Sequence, residues 1–101
     1  MEKIKWTNKA VNNLRSIYDY IALDSELYAF RFINSLVKAT LKLESLPYCG
    51  RVVPELENES IREIIYENYR IVYRLPAIQK VDVIEIIAIV HGARKLPFPF
   101  D

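Results

Sequence analysis

The run VDVIEIIAIV, residues 81–90, constrains this chain more than any other stretch. Val81, Val83, Ile87 and Ile89 alternate with Ile84, Ile86, Ala88 and Val90, so the segment is apolar at both strand parities. A half-buried strand alternates apolar with polar side chains, whereas a strand apolar at both parities needs neighbours along both edges and cover on both faces. The rest of the chain therefore has to build a sheet around this segment.

Upstream, the apolar period is helical. Ile4 to Trp6 reads as a short strand, after which Thr7 or Asn8 can cap a helix by accepting a hydrogen bond from an orphan backbone N–H. Ala10, Leu14, Ile17 and Ile21 then recur at spacings of four, three and four, with Val11 and Tyr18 widening the stripe. Asp24-Ser25 resets the pattern, and a second stripe runs through Ala29, Phe32, Ile33, Leu36, Thr40 and Leu43. So short a connection predicts an antiparallel helical hairpin. The second helix is expected to stop by Leu46, because the residue before Pro47 is pushed out of helical geometry. Pro47 to Leu56 reads as an irregular connection.

From Ser60 the period becomes that of strands. In SIREIIYENYRIVYRL, Glu67-Asn68 is a two-residue turn between β-branched and aromatic flanks. This register sets Tyr66 against Tyr69, Ile64 against Ile71 and Arg62 against Tyr73. The opposite face then carries Ile65, Glu63 and Ile61 against Arg70, Val72 and Arg74. A connection around Pro76 to Gln79 leads into the final strand. The predicted fold class is α+β in the order β-α-α-β-β-β: a short N-terminal strand, then an antiparallel helical hairpin packed on one face of an antiparallel sheet. Residues 1–101 make a single domain. Because the helices cover one face only, Ile84, Ile86 and Ala88 are expected on the other, beneath a partner, a bulge or the C-terminal tail with Phe98 and Phe100.

Composition narrows the function classes. With 51% apolar residues, 101 residues suffice for one core, and the formal net charge of +1 provides no basic field to hold nucleic acid by phosphate neutralisation alone. The single Cys49 forms no internal disulfide, and no Cys/His cluster of metal type exists, so neither metal nor cofactor is expected and a cytoplasmic setting is. The charged N-terminus lacks a signal-peptide pattern, and the longest apolar run, IIAIV, is far too short for a membrane span. A soluble, unprocessed protein is the expectation.

Six pieces in order carry a family resemblance: Trp6 with Ala10, Leu14, Ile17, Tyr20 and Ile21; Ala29 with Phe32-Ile33; Leu46-Pro47 with Gly50-Arg51; Ile61-Arg62-Glu63; Tyr69-Arg70-Ile71-Val72-Tyr73-Arg74; and His91-Gly92-Ala93-Arg94. Together they closely resemble the ParE branch of the RelE/ParE toxin superfamily. The resemblance implies a toxin of a type II toxin–antitoxin pair of the plasmid-stabilization kind, neutralised in the cytoplasm by a cognate, ParD-like antitoxin. It also implies a choice of targets. ParE-like members are associated with poisoning of DNA gyrase; RelE-like members are ribosome-dependent mRNA endonucleases.

Metal-free RNA cleavage needs a base for the 2′-hydroxyl, cations for the phosphorane and an acid for the leaving oxygen. Arg70 lies where the RelE-like branch has a strand arginine, His91 or Glu63 would serve as base, and Arg94 or Arg74 as a second clamp. Three departures count against this reading. An acid, Glu63, stands beside Arg62 where basic residues are usual; Gly92-Ala93 separates His91 from Arg94, with no later tyrosine; and the chain is nearly neutral. Glu63, Arg70 and Arg74 also fit an ordinary cross-strand charge cluster, and His91 fits a strand exit fixed by a backbone carbonyl. Trp6 fits a core anchor. The reading reached is a ParE-like inhibitor of gyrase, with Arg62, Arg70, Arg74, His91, Arg94 and Lys95 as target contacts and Ile84, Ile86 and Ala88 as antitoxin contacts. The endonuclease is the first alternative, and a non-toxic binding module of the same fold is the second.

Overall fold

The computed structural model describes residues 3–75 and 83–92. Strand β1 (Lys3–Trp6) leads into helices α1 (Asn8–Ala22) and α2 (Glu26–Thr40) and a 3-10 turn at Leu41–Glu44; strands β2 (Arg51–Val52), β3 (Ile61–Tyr66), β4 (Tyr69–Arg74) and β5 (Val83–His91) follow. The sheet order is β1-β5-β4-β3-β2. This is the expected α+β fold, with two added details. β1 joins β5 in parallel, and the supposedly irregular connection contributes β2, which pairs antiparallel with β3.

Both helices begin where the capping residues stand. Thr7 accepts from the Ala10 N–H at 3.2 Å and Ser25 from the Tyr28 N–H at 3.1 Å. Thr7 also donates its hydroxyl to the Ile86 carbonyl at 3.0 Å, which ties the start of α1 to the interior strand β5. β1 stops opposite Ile86. Farther along β5, the Ile89 N–H finds Asn13 Oδ1 at 2.9 Å, so a helix side chain satisfies a donor of this buried strand.

The helical stripes pack on one face of the sheet. Ala10, Ile17, Leu36 and Leu43 meet Ile64, Ile71, Tyr73, Ile84, Ile86 and Ile89 in the main core, with Leu14, Ile21, Phe32 and Ile33 at its margin. Phe32 fastens α2 to the hairpin end, its ring edge-on to Tyr66 at 5.5 Å and to Tyr69 at 5.9 Å. Val11, expected in the first stripe, is 44% exposed; it lies at the edge of the face that Ala10, Leu14 and Ile17 define.

The β3–β4 pairing is the predicted one, from Tyr66 opposite Tyr69 to Arg62 opposite Tyr73. The last strand departs from simple alternation. Val72 pairs with Ala88 but Tyr73 pairs with Ile86, so Ile87 is the extra residue of a β-bulge. The bulge reverses the facing of everything before it and corrects the expectation for Ile84 and Ile86, while Ala88 keeps the expected face. Ile84 and Ile86 point into the helix-covered core and are fully buried there, whereas Ala88 and Ile87 lie in a second cluster on the other face with Val53 and Val72. Val53 and Leu56, on the segment after β2, cover that cluster. The apolar surface expected to await a partner at Ile84 and Ile86 is therefore closed by the chain itself.

Candidate functional site

On the face away from the helices, strand parity gathers charge. Glu63 and Ile65 of β3 share this face with Arg70 of β4, and Arg51 of β2 is the direct cross-strand partner of Glu63. The Glu63 side chain is fully buried and accepts from two guanidinium groups: Arg51 Nε to Oε2 at 2.6 Å and Arg70 Nε to Oε1 at 2.7 Å. The remaining edge of Arg70 is taken by Glu55, from the segment after β2. Its Nη1 and Nη2 donate to the two Glu55 oxygens, both at 2.8 Å. This is a fork-to-fork pair of the strongest hydrogen-bonded kind.

The electrostatics follow the geometry. The two hydrogen bonds from Arg70 hold the Glu55 carboxyl down at about 2, against a partial desolvation that pushes it up. The same bonds push the Arg70 guanidinium up, so it stays charged although its side chain is only 7% exposed. Two cations and two anions thus interlock, and each nitrogen of the Arg70 guanidinium meets a carboxylate oxygen. Beside them lies an open depression lined by Arg51, Pro54, Glu55, Ile65, Arg70 and Gly92.

The other candidates are distributed differently. Arg74, expected near Glu63, pairs instead with its cross-strand neighbour Glu85 at 2.9 Å. Arg62 faces the helix side of the hairpin, donates to the Gly50 carbonyl at 3.1 Å and the Glu59 carbonyl at 3.1 Å, and lies over the Tyr48 ring at 5.1 Å. It braces loops. His91 pairs with Tyr69 at the end of β5 and meets that ring edge-on at 5.6 Å. Tyr69 and Arg70 are successive strand residues pointing to opposite faces, so His91 belongs to the face opposite Arg70. Of the candidates for RNA cleavage, the structure brings Glu63 and Arg70 together as an ion pair at 2.7 Å and leaves His91 on the other face. Arg94 and Lys95 lie outside the described residues.

Sequence reasoning missed Glu55 and Arg51, the partners that define the site. Arg51 carried a signal in its position just after Gly50, since a strand there falls opposite Glu63. Glu55 carried none; it reaches Arg70 from a loop without periodicity. Among the described residues no group of His, Cys, Asp and Glu side chains is arranged to hold a metal ion, and no helix is long and apolar enough to cross a membrane.

A two-helix hairpin on a five-stranded sheet with one parallel edge, and charged residues interlocked on the far face, define the class: a small α+β domain of the architecture that the RelE/ParE resemblance implies. Within it, residues 4–96 match the family described as ParE toxin of type II toxin-antitoxin system, parDE, and the chain belongs to that family. Among solved structures it is similar to a chain of the chromosomal ParDE toxin–antitoxin system from P. aeruginosa, with 26% identity over 90% of this chain and 96% of that one and a TM-score of 0.72. A chain of the RelBE2 toxin–antitoxin complex from Mycobacterium tuberculosis shares the fold, at 17% identity over 89% and 96% of the two chains and a TM-score of 0.60. No curated protein matches the sequence.

Proposed function

We propose that this type II toxin acts by inhibiting DNA gyrase, without hydrolytic chemistry of its own, and that a cognate ParD-like antitoxin neutralises it. The reading includes a single domain over residues 1–101 and a cytoplasmic site of action, where gyrase and the antitoxin are met. One observation carries the preference over mRNA cleavage: of the two candidate bases, His91 stands on the face opposite Arg70, and Glu63 is fully buried between Arg51 and Arg70. A base and a phosphate clamp must converge on one reacting group within hydrogen-bond reach. Arg70 is further committed to Glu55 and Glu63. Taking Arg70 from the fully buried Glu63 would leave uncompensated charge, at a cost on the order of 3–5 kcal/mol.

Family membership supports the toxin and its antitoxin partner. The gyrase target follows from the resemblance to the ParE branch. The deciding experiment incubates the purified protein with gyrase, ATP and supercoiled plasmid, and in parallel with a translating cell-free extract. Accumulating gyrase-cleaved plasmid with intact mRNA is the expected result. Codon-specific mRNA cleavage that disappears in Arg70→Ala would overturn the proposal in favour of the endonuclease.

A further inference from the structure

The four interlocked charges are not equivalent. Glu63 is fully buried between two arginines, whereas Glu55 sits on the segment after β2 with its side chain 32% exposed, at the rim of the open depression. Without Glu55, the set Arg51, Glu63 and Arg70 holds one positive charge in excess. The Nη1 and Nη2 edge of Arg70, now filled by Glu55 at 2.8 Å, would then face the depression with its donors aligned for two oxygens. Ile65, on the same strand face and in the same depression, is 56% exposed.

We infer that the edge of Arg70 held by Glu55 is a docking point for an acidic segment of a protein partner, whose carboxylate takes Glu55's place while an apolar neighbour rests on Ile65. The structure supplies the fit, because Glu55 is itself a carboxylate seated there in two-point geometry. One carboxylate replaces another on the same donors while Glu55 moves out to water from a rim position; the tethered Glu55 has the entropic advantage, so the partner needs its second contact on Ile65 to compete. A nucleic-acid backbone fits less well. It brings successive phosphates that require several cations, whereas this site has one donor edge to give and keeps Glu63 buried beneath it and Glu55 tethered beside it. Glu55 thereby acts as an internal competitor, since affinity for an outside ligand falls by the fraction of molecules in which Arg70 is uncovered. The inference stands on the sheet face alone, so a failed gyrase assay leaves it intact.

The test is an NMR titration of the full-length protein with the peptide acetyl-Val-Val-Pro-Glu-Leu-Glu-amide, which copies residues 52–57, against its counterpart with glutamine in place of both glutamates. The expected result is a saturable shift of the Arg70 Nε–H and Ile65 amide signals with the acidic peptide only. Apparent affinity should be about tenfold higher in Glu55→Gln than in wild type, the competitor having been removed. A second reading needs no variant: in the wild-type protein, saturating peptide should return the Glu55 carboxyl, followed through its Cδ resonance, towards the ordinary carboxylate range. Equal affinity in wild type and Glu55→Gln, or no shift at Arg70, overturns the inference. Inorganic phosphate at matched ionic strength acting at lower concentration than the peptide would overturn the choice of a carboxylate ligand.

Discussion

The Tyr73 hydroxyl joins two backbone groups of one loop, accepting from the Gly50 N–H at 3.0 Å and donating to the Pro47 carbonyl at 2.8 Å. Tyr73 is fully buried in the main core, and burial pushes its phenol up, so the hydroxyl keeps its proton and its donor role. Glycine at position 50 is required by space. A Cβ there would stand 2.5 Å from the Tyr73 hydroxyl and 2.6 Å from the Glu63 carbonyl oxygen. The loop's close approach to β3 and β4 allows Arg51 to reach Glu63.

Two substitutions separate the hydrogen bonds from the space. Tyr73→Phe removes the hydroxyl and strands the Gly50 donor and the Pro47 acceptor, at an expected cost of about 1–3 kcal/mol. Gly50→Ala pushes backbone against backbone and should cost at least as much. Urea unfolding of both variants checks this, and a Gly50→Ala protein of wild-type stability would contradict the packing described.

Glu63 and Arg70 form a buried pair, and such pairs resist the loss of one member more than the loss of both. Glu63→Leu should destabilise by about 3 kcal/mol, because Arg70 keeps Glu55 but loses its buried partner. The double variant Glu63→Leu with Arg70→Met should recover part of that loss. A coupling above about 1 kcal/mol in the double-mutant cycle is the expected measurement; additive single effects would mean that the pair is not acting as a unit.

Much of this framework was legible in the sequence, and the exceptions share a cause. Thr7 and Ser25 announced the helices, the Glu67-Asn68 turn fixed the hairpin register, and the stripes from Ala10 to Leu43 marked the helical side of the core. Parity also put Glu63 and Arg70 on one face. It failed at Ile84 and Ile86 because an all-apolar strand carries no polar residue to reveal a one-residue bulge at Ile87. Glu55 and Asn13 were hidden because each acts across the fold, on Arg70 fifteen residues away and on Ile89 76 residues away. No local pattern encodes contacts of that kind.

The Glu55 carboxyl titrates at about 2 in the folded protein against an ordinary value of 4.5. A carboxyl depressed on folding stabilises fully above its unfolded value, and that contribution is lost as pH falls through the folded value. The Glu55 contribution is therefore intact above about pH 5 and disappears between about pH 4.5 and about 2. Since the group is partly exposed and screened, the amount is on the order of 1 kcal/mol. Unfolding of wild type and Glu55→Gln at stepped pH checks the sign. The wild type should be the more stable above pH 5, and the gap should close across that window and narrow in high salt.

Ile86 tests the consequence of the bulge for recognition. Were Ile86 part of an exposed sheet face, trimming it would weaken partner binding and spare the fold. Its side chain instead meets the helix stripes in the main core and is fully buried. Ile86→Ala should therefore cost about 2–5 kcal/mol of stability through the cavity it leaves. Ile65→Ala, on an exposed residue of the far face, should change stability by less than about 0.5 kcal/mol. Thermal unfolding of the two variants, followed by copurification with a coexpressed antitoxin, separates fold from contact. Folded Ile86→Ala protein should retain the antitoxin at wild-type stoichiometry. Loss of the antitoxin from a stably folded Ile86→Ala variant would show that this strand position is part of a binding surface after all.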